Sequence, residues 1–252
     1  ELMEEFAIEL PEVQIIDPKS EEQKETRISY GKAFFEKRKR KGFTEYEAIQ
    51  IMRERNYFGS MMVNQGDAGA MITGVTRSYR SCIKPAINSV GLKKDVKVMS
   101  GMYILNTKRG PLFLADTTIN LNPNAEEIAE ITVNVAKTIR KFNIVPKIAL
   151  LSYSNFGSAP GEDADKMSAA VKILHENHPN IIVDGEVQAN FALDSELMND
   201  KFSFSQLANN EVNTLIFPNL SSDMSPWENL SEIGKTGSTI LIIFSLENPL
   251  TS

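Results

Sequence analysis

The chain has 252 residues, 42% of them hydrophobic and 24% charged, which is typical of a globular protein with a large core. Its net charge of −6 argues against nucleic-acid binding. A single cysteine, Cys82, excludes a disulfide within the chain and favours a reducing, cytoplasmic location, and no apolar run approaches the roughly 18 residues of a membrane helix. We therefore expect a cytoplasmic protein with neither a nucleic acid nor a membrane among its partners.

The first third of the chain is predicted to be mainly helical. It opens on an acidic amphipathic segment without an initiator methionine, so we expect an excised domain or a fragment. Apolar spacing and capping residues predict a short strand at Val13–Ile16, followed by helices at Glu21–Lys41, from Thr44 to about Arg55, and at Tyr79–Val90. A charged loop, Gly91–Asp95, predicts a domain seam.

Beyond this loop, strands and helices alternate. The turn "NTKRG" between Val96–Leu105 and Pro111–Ala115 predicts a hairpin. The remaining elements are predicted to be helices at Asn124–Phe142 and Ala164–Asn177, and strands at Lys147–Leu151, Ile181–Asp184, Thr214–Phe217 and Thr239–Phe244. Strands this rich in Val, Ile and Leu, separated by helices, predict a mostly parallel sheet that is covered on both faces.

Polar residues follow four of the predicted strands. These segments are "DTTIN" after Ala115, "SYSNFGSAPGED" after Leu151, "DGEVQAN" after Val183 and "PNLSS" after Phe217. One such loop alone is more often a helix cap than a site. Four of them at one edge of a parallel sheet favour a ligand site, and the serines before Gly157 favour an anion such as phosphate.

Basic residues near the predicted helices of the first third are weaker candidates. Arg38 belongs to the run "EKRKRKG", and Arg77 and Lys84 flank or lie in "SYRSCIKPAI". Each fits a solvated helix charge or a phosphate contact. His175 and His178 lack an evident third ligand, so no metal site is predicted.

Several motifs resemble the phosphate acetyl/butyryl transferase family in the right order. They are "RKRKGFT", "YFGSMMVNQGDAGAMITGVTRSYRSCIKPAI", "LADTTINLNP", "ALLSYSNFGS", "DGEVQAN" and "PNLSS". The motifs "TRSY", "LADTTIN" and "SYSNFGS" resemble one branch most, the C-terminal phosphotransacetylase-like domain of bacterial NADP-dependent malic enzymes. The resemblance covers nearly the whole chain.

The resemblance implies an α/β fold with two α/β/α subdomains, mostly parallel sheets and a cleft between them. Residues 1–92 and 244–252 would form the first, N-terminally incomplete subdomain, and residues 93–243 the second. Stand-alone members transfer an acetyl group between coenzyme A and phosphate by attack of the CoA thiolate on acetyl phosphate, with arginines holding the phosphate. In malic enzymes the domain is regulatory, and NADP and a divalent metal would belong only to an upstream domain.

Three functions follow as hypotheses. We favour a malic-enzyme domain that senses acetyl-CoA or an acyl phosphate and supports oligomerisation. The alternatives are an active phosphate acetyltransferase and a purely structural oligomerisation module. Acetyl-CoA or acetyl phosphate is the expected ligand, no cofactor is expected in this chain, and pairing through the middle subdomain predicts a homodimer.

The expected ligand-binding residues combine the strand-end clusters with the basic candidates. They are Arg38, Arg77, Lys84, Asp116, Thr117, Asn120, Ser152, Ser154, Asn155, Ser158, Asp184, Glu186, Gln188 and Asn219.

The sequence departs from the family pattern in two places. Lys84 stands where the family usually has an arginine, which keeps the charge but loses the bidentate fork. After "PNL", Glu228 stands where the family has a lysine, and the sequence ends before the family's Ser-Arg-…-Asp segment. On this basis we assign no catalytic residue in the chain.

Overall fold

A computed structural model describes residues 13–74, 76–92, 96–116, 119–220 and 239–244. These residues fall into two compact units, one made by residues 13–92 and the other by residues 96–220 with 239–244. Part of the predicted seam, residues 93–95, lies outside the described residues, as do Thr117 and the departures from the family pattern around Glu228. None of the helices in the described ranges has the length and apolarity that a membrane crossing needs.

The described part of the first unit consists of helices. They are α1 (Lys24–Arg38), followed by a 3-10 turn (Lys39–Lys41), then α2 (Glu45–Ile51), α3 (Arg55–Gln65) and α4 (Tyr79–Ser89). The predicted end of the first helix at Gly42 is confirmed, since this glycine adopts the left-handed conformation (φ 87°) that commonly closes a helix. Thr44 caps α2 as predicted, in a reciprocal capping box with Glu47.

The core of this unit is aromatic and methionine-rich. Phe34, Met52 and Met61 are completely buried, and Phe34 packs edge-to-face against Tyr57 with ring centroids 5.6 Å apart. Edge-to-face geometry suits the ring quadrupoles and adds to the burial of apolar area. The core therefore locks α1, α2 and α3 together.

The second unit is an α/β layer structure. Its elements are β1 (Ser100–Thr107), β2 (Gly110–Ala115), α5 (Ala125–Arg140), β3 (Lys147–Leu151), α6 (Glu162–Asn177), β4 (Ile182–Val187), α7 (Ala189–Leu193), α8 (Ser195–Lys201), β5 (Thr214–Ile216) and β6 (Thr239–Phe244). The six strands form one sheet in the order β4-β3-β5-β2-β1-β6. Strands β4, β3, β5 and β2 are mutually parallel, whereas β1 runs antiparallel to both of its neighbours. The predicted α/β fold with a mostly parallel sheet is confirmed here.

Alternate residues of the strands bury on opposite faces of the sheet. Phe113, Leu150 and Ile216 join the core under α5 and α6, whereas Leu114 and Leu215 join the core on the face of α7 and α8. Successive side chains of a strand point to opposite faces of the sheet. Because helices cover both faces, apolar residues occupy both of them. This sandwiching fixes the sheet and holds the carboxyl ends of its strands in place.

Some predicted elements differ from the observed ones. The strand predicted at Val13–Ile16 is wrong, since this segment forms no strand and Ile15 is 86% exposed. The helix predicted to run from Thr44 to about Arg55 ends at Ile51, and α3 then starts as a separate helix. The short helices α7 and α8 were not predicted.

Candidate functional site

The carboxyl ends of four strands meet at one edge of the sheet in the second unit. Because β2, β5, β3 and β4 are adjacent and parallel, the residues that follow them lie along the same edge. The chain passes from β2 to β3 to β4 in one direction and then returns to place β5 between β2 and β3. Such a reversal of strand order is where open α/β sheets bind ligands, outside the strand ends.

The loop after β2 is organised by Asp116. This carboxylate is 2% exposed, and its Oδ1 accepts a hydrogen bond from the backbone N–H of Gly101 at 3.1 Å. Its Oδ2 accepts from the backbone N–H of Asn120 at 2.9 Å and also from the side-chain amide of that residue. Asn120 in turn donates to the carbonyl oxygen of Met99 at 2.8 Å. Both predicted residues thus hold the loop in shape.

The loop after β3 is built from its own serines. Ser154 is completely buried, and its Oγ accepts from the N–H of Ala159 at 3.1 Å. Ser152 Oγ accepts from the N–H of Ser154 at 3.2 Å, and Ser158 Oγ accepts from the N–H of Asn155 at 2.8 Å. Ser158 is exposed and Ser152 is half-buried, so these two hydroxyls are the more accessible ones.

Glu186 fastens this loop to β4. The carboxylate is 2% exposed, and its Oε1 accepts from Ser154 Oγ at 2.9 Å and from the N–H of Gly157 at 2.6 Å. Charge-assisted bonds of this kind are stronger than neutral ones. Glu186 lies in a β-bulge, since Leu150 pairs with Gly185 and Leu151 with Val187. The bulge re-aims the carboxylate toward the loop.

Gly185 makes this bulge possible. Its φ is +148°, and a Cβ at this position would come within 2.5 Å of the Leu150 carbonyl oxygen. Only glycine tolerates both conditions without a shift of the backbone. In the sequence "DGE", the glycine therefore permits the backbone conformation that directs the carboxylate of the following glutamate toward the loop.

Asp184 and Gln188 secure neighbouring segments. Asp184 lies in the middle of β4, and its Oδ2 accepts from Ser205 Oγ at 2.7 Å and from the N–H of Gln206 at 2.8 Å. It thus anchors the segment that leads to β5. The backbone N–H of Gln188 donates to Asn155 Oδ1 at 2.8 Å, and its side-chain amide donates to the carbonyl of Tyr153 at 2.6 Å.

Asn219, after β5, belongs to a second polar cluster. Its side-chain amide donates to Asp163 Oδ2 at 3.0 Å, and Asp163 Oδ1 accepts from Lys166 Nζ at 2.9 Å. Lys166 Nζ also donates to Asn122 Oδ1 at 2.7 Å. The loops after β2 and β5 are therefore joined to the first turns of α6 by this cluster. Glu186 joins the loop after β3 to β4 itself, and Gln188 joins it to the segment after β4.

The protein comparisons agree on one family. A family model described as phosphate acetyl/butaryl transferase matches residues 2–236 of the chain. The chain belongs to this family. The resemblance stated from the sequence motifs is thereby confirmed.

Two curated relatives represent the two branches of the family considered above. A phosphate acetyltransferase of Clostridium acetobutylicum is 34% identical over 223 residues, which cover 86% of this chain and 66% of that protein. An NADP-dependent malic enzyme of Escherichia coli is 34% identical over 212 residues, which cover 84% of this chain and 28% of the enzyme. The chain spans 46%, 30% and 34% of three further phosphate acetyltransferases, so it matches only part of these relatives.

A solved structure extends the comparison to the fold. A phosphotransacetylase from Streptococcus pyogenes has a TM-score of 0.80 and 30% sequence identity, covering 98% of this chain and 74% of that one. The architecture described above is therefore that of a phosphotransacetylase.

The basic candidates of this family member lie in the first unit. Arg38 donates from Nε to the carbonyl oxygen of Asn88 at 2.7 Å and from a terminal nitrogen to that of Ile87 at 2.6 Å. It thus caps the C-terminal end of α4, where unpaired carbonyl groups and the helix dipole favour a cation. Arg77 lies 4.0 Å from Glu54, and Lys84 is exposed.

Lys166 was not among the predicted site residues, and Asp163 was predicted only as the last residue of the polar segment after the strand Lys147–Leu151. Both lie in the first two turns of α6. Their partners Asn122 and Asn219 are 44 and 56 residues away in sequence, so no local signal links them. His175 Nε2 lies 2.8 Å from the Val183 carbonyl oxygen.

A large cavity of the second unit lies away from most of these residues. Its volume is about 1070 Å³, and its lining includes the hairpin turn Thr107–Leu112, Lys147 at the start of β3 and Asn213 just before β5. These groups lie at the amino ends of β2, β3 and β5, but the lining also includes Tyr153 and Asn190 from the polar segments after β3 and β4. Of the predicted ligand-binding residues, only Gln188 lines the cavity. We place the candidate site at the carboxyl edge, because the polar side chains converge there.

Proposed function

We propose that this protein is a phosphate acetyltransferase that moves an acetyl group between coenzyme A and phosphate. The observation that supports the proposal is the polar carboxyl edge of the sheet. There, on a fold similar to that of a phosphotransacetylase, hydrogen bonds tie the segments after the four parallel strands to β4 and to the start of α6. The similarity to phosphate acetyltransferases over most of the chain supports it. This reverses the order of the hypotheses drawn from the sequence, where a sensing domain was favoured.

The proposed reaction joins the CoA sulfur to the acetyl carbon. The thiolate attacks the carbonyl carbon of acetyl phosphate, and the bond between that carbon and the bridging oxygen breaks. The electron pair leaves with the phosphate, and the product is the thioester acetyl-CoA. No redox partner is needed, and the reverse reaction uses phosphate as the nucleophile.

The residues of the carboxyl edge suit the phosphate half of this reaction. Ser158 presents an exposed hydroxyl, and the loop that carries it leads into the N-terminus of α6. Hydroxyls and the positive end of a helix stabilise phosphate oxygens. Glu186 and Ser154 hold this loop in one conformation before the ligand arrives, which reduces the ordering cost of binding.

A second candidate function is a phosphotransacetylase-like domain within a malic enzyme. The identity to the Escherichia coli malic enzyme, which is as high as that to the Clostridium protein, supports it. In that case the same edge would bind acetyl-CoA or an acyl phosphate without turnover. Both proposals place the ligand at the same strand ends, so binding alone does not separate them.

Turnover separates the two candidates. The full chain is mixed with CoA and either acetyl phosphate or butyryl phosphate, and thioester formation is followed by absorbance. The transferase proposal predicts sustained formation of acetyl-CoA over many turnovers. Acetyl-CoA binding measured by calorimetry in the absence of any turnover would favour the sensing domain.

A further inference from the structure

The side chain of Lys166 is held at the carboxyl edge of the sheet. It is 12% exposed and lies in the second turn of α6, whereas its partner Asp163 is 37% exposed and Asn122 is exposed. The stem of the lysine is therefore packed while its ammonium group reaches two acceptors nearer the surface. Here Asp163 Oδ1, at 2.9 Å, and Asn122 Oδ1, at 2.7 Å, accept two of its hydrogen bonds.

The contacts of Lys166 differ from those of an ordinary surface ion pair. The pairs Lys24–Glu21 and Lys39–Glu36 have the same spacing of three residues along the chain, but their side chains are between 50% and 81% exposed. Exposed pairs of this kind contribute little to stability. Lys166 instead contacts a loop 44 residues away in sequence, so it connects different parts of the fold and not only neighbouring residues of its own helix.

The network continues from Lys166 to β5. Asp163 uses one carboxylate oxygen for Lys166 and the other, Oδ2, for the side-chain amide of Asn219 at 3.0 Å. The ammonium group of Lys166 thereby links three segments of the chain. It binds Asn122 after β2 and Asp163 at the start of α6 directly, and it reaches Asn219 after β5 through Asp163. These segments surround the end of β5, where the strand order reverses.

We propose that Lys166 is a positioning residue of the acyl-transfer site. It fixes Asp163, which aligns the amide of Asn219, and it holds Asn122 across the crevice at the end of β5. The geometry of the phosphate-binding edge then depends on a cation that need not touch the substrate itself. This inference rests on the proposed function, and it assigns to Lys166 the role of maintaining the geometry of the site.

Three variants of the full chain test the positioning role. Lys166→Met removes the ammonium but keeps an unbranched side chain, Lys166→Arg keeps the cation, and Lys172→Met removes an exposed lysine from the same helix. The measurements are kcat and KM for acetyl phosphate, and the NMR resonances of the side-chain amides of Asn122 and Asn219. The Asn122→Asp and Asn219→Asp variants assign these resonances.

Lys166→Met is expected to raise KM for acetyl phosphate by about tenfold, because the loss of its hydrogen bonds leaves the phosphate-binding edge to be ordered at the expense of ligand binding. It should also shift both amide resonances. Lys166→Arg should recover most of the KM, and Lys172→Met should change neither quantity. Unchanged KM and unchanged resonances in a folded Lys166→Met protein would overturn the proposal, even if its thermal stability fell.

The two proposals fail in different ways. If the wild-type chain transfers no acetyl group, the proposed function fails, and the amide resonances still decide whether Lys166 positions Asn122 and Asn219. If Lys166→Met does not fold, Asp163→Asn replaces it, because this change weakens the contact to Lys166 at nearly constant size. If the side-chain amide resonance of Asn219 does not shift in Asp163→Asn, the proposal is overturned.

Discussion

At the residue scale, the side chains that the sequence suggests as ligands are mostly occupied by the protein itself. Asp116, Ser154 and Glu186 are each at most 2% exposed, and each accepts hydrogen bonds from backbone N–H groups. Buried polar groups are normally satisfied in this way. Their contribution to a site is therefore to hold loops, and the more exposed groups beside them are left for a ligand.

Arg38 illustrates the same distinction and gives a testable prediction. Because its guanidinium donates to the carbonyl oxygens of Ile87 and Asn88, Arg38→Ala should lower the free energy of unfolding by about 2 kcal/mol. Denaturant unfolding of the full chain measures this change. The control is Lys39→Ala, because the side chain of Lys39 forms an exposed pair with Glu36, and the loss of this pair should change stability by about 0.5 kcal/mol or less.

The outcome distinguishes two roles for Arg38. A stable Arg38→Ala protein with weaker binding of acetyl phosphate would contradict the capping role and restore the phosphate contact expected from the family. A destabilised protein that binds acetyl phosphate normally would assign Arg38 to the architecture of the first unit alone.

At the element scale, the β4 bulge makes a prediction about glycine. Gly185→Ala places a Cβ within 2.5 Å of the Leu150 carbonyl oxygen at a φ of +148°, so it should lower the free energy of unfolding by about 3 kcal/mol or more. Gly110→Ala is the matched control. Gly110 also has a positive φ, of +110°, but no atom lies within 4 Å of its added Cβ, so about 1 kcal/mol is expected. Equal losses in the two variants would contradict the steric account.

The elements also show which helices and strands can be predicted from sequence patterns. The strands of the second unit and the helices α5 and α6 were predicted because apolar periodicity and caps agree there, as with the capping box of Asn124 and Glu127. Helix α3 was missed because residues on several of its sides are buried, including Asn56 and Ser60, so it lacks an amphipathic pattern. Val13–Ile16 was predicted as a strand from its composition alone.

The candidate site was predictable in part for a related reason. The strand ends follow from the parallel sheet, so the segments that contain Asp116, Ser154 and Asn219 were placed correctly. The segment "DGEVQAN" was expected to follow its strand, but Asp184 and Glu186 lie within β4. The hydrogen-bond partners inside the site were not predicted. Glu186 bonds to Gly157 and Asn219 bonds to Asp163, and these partners are 29 and 56 residues apart in sequence. Contacts at such separations depend on the folded sheet and leave no periodic trace in the sequence.

At the scale of the whole molecule, assembly stays a prediction. The resemblance implies a homodimer through the middle subdomain. The apolar side chains of α5 at Ile128, Ile131 and Val135 belong either to such a contact or to the core. All three side chains are buried within the chain itself, so they serve the core. Light scattering at several micromolar concentrations should give twice the mass of one chain. A single-chain mass throughout would contradict the prediction.

The account as a whole depends on whether the carboxyl edge supports acyl transfer. The most direct measurement is phosphorus NMR of acetyl phosphate with the full chain, with and without CoA. The account predicts that the acetyl phosphate signal falls and the inorganic phosphate signal grows only when CoA is present, with an equal amount of acetyl-CoA formed. A folded chain that causes no CoA-dependent loss of acetyl phosphate would contradict the account.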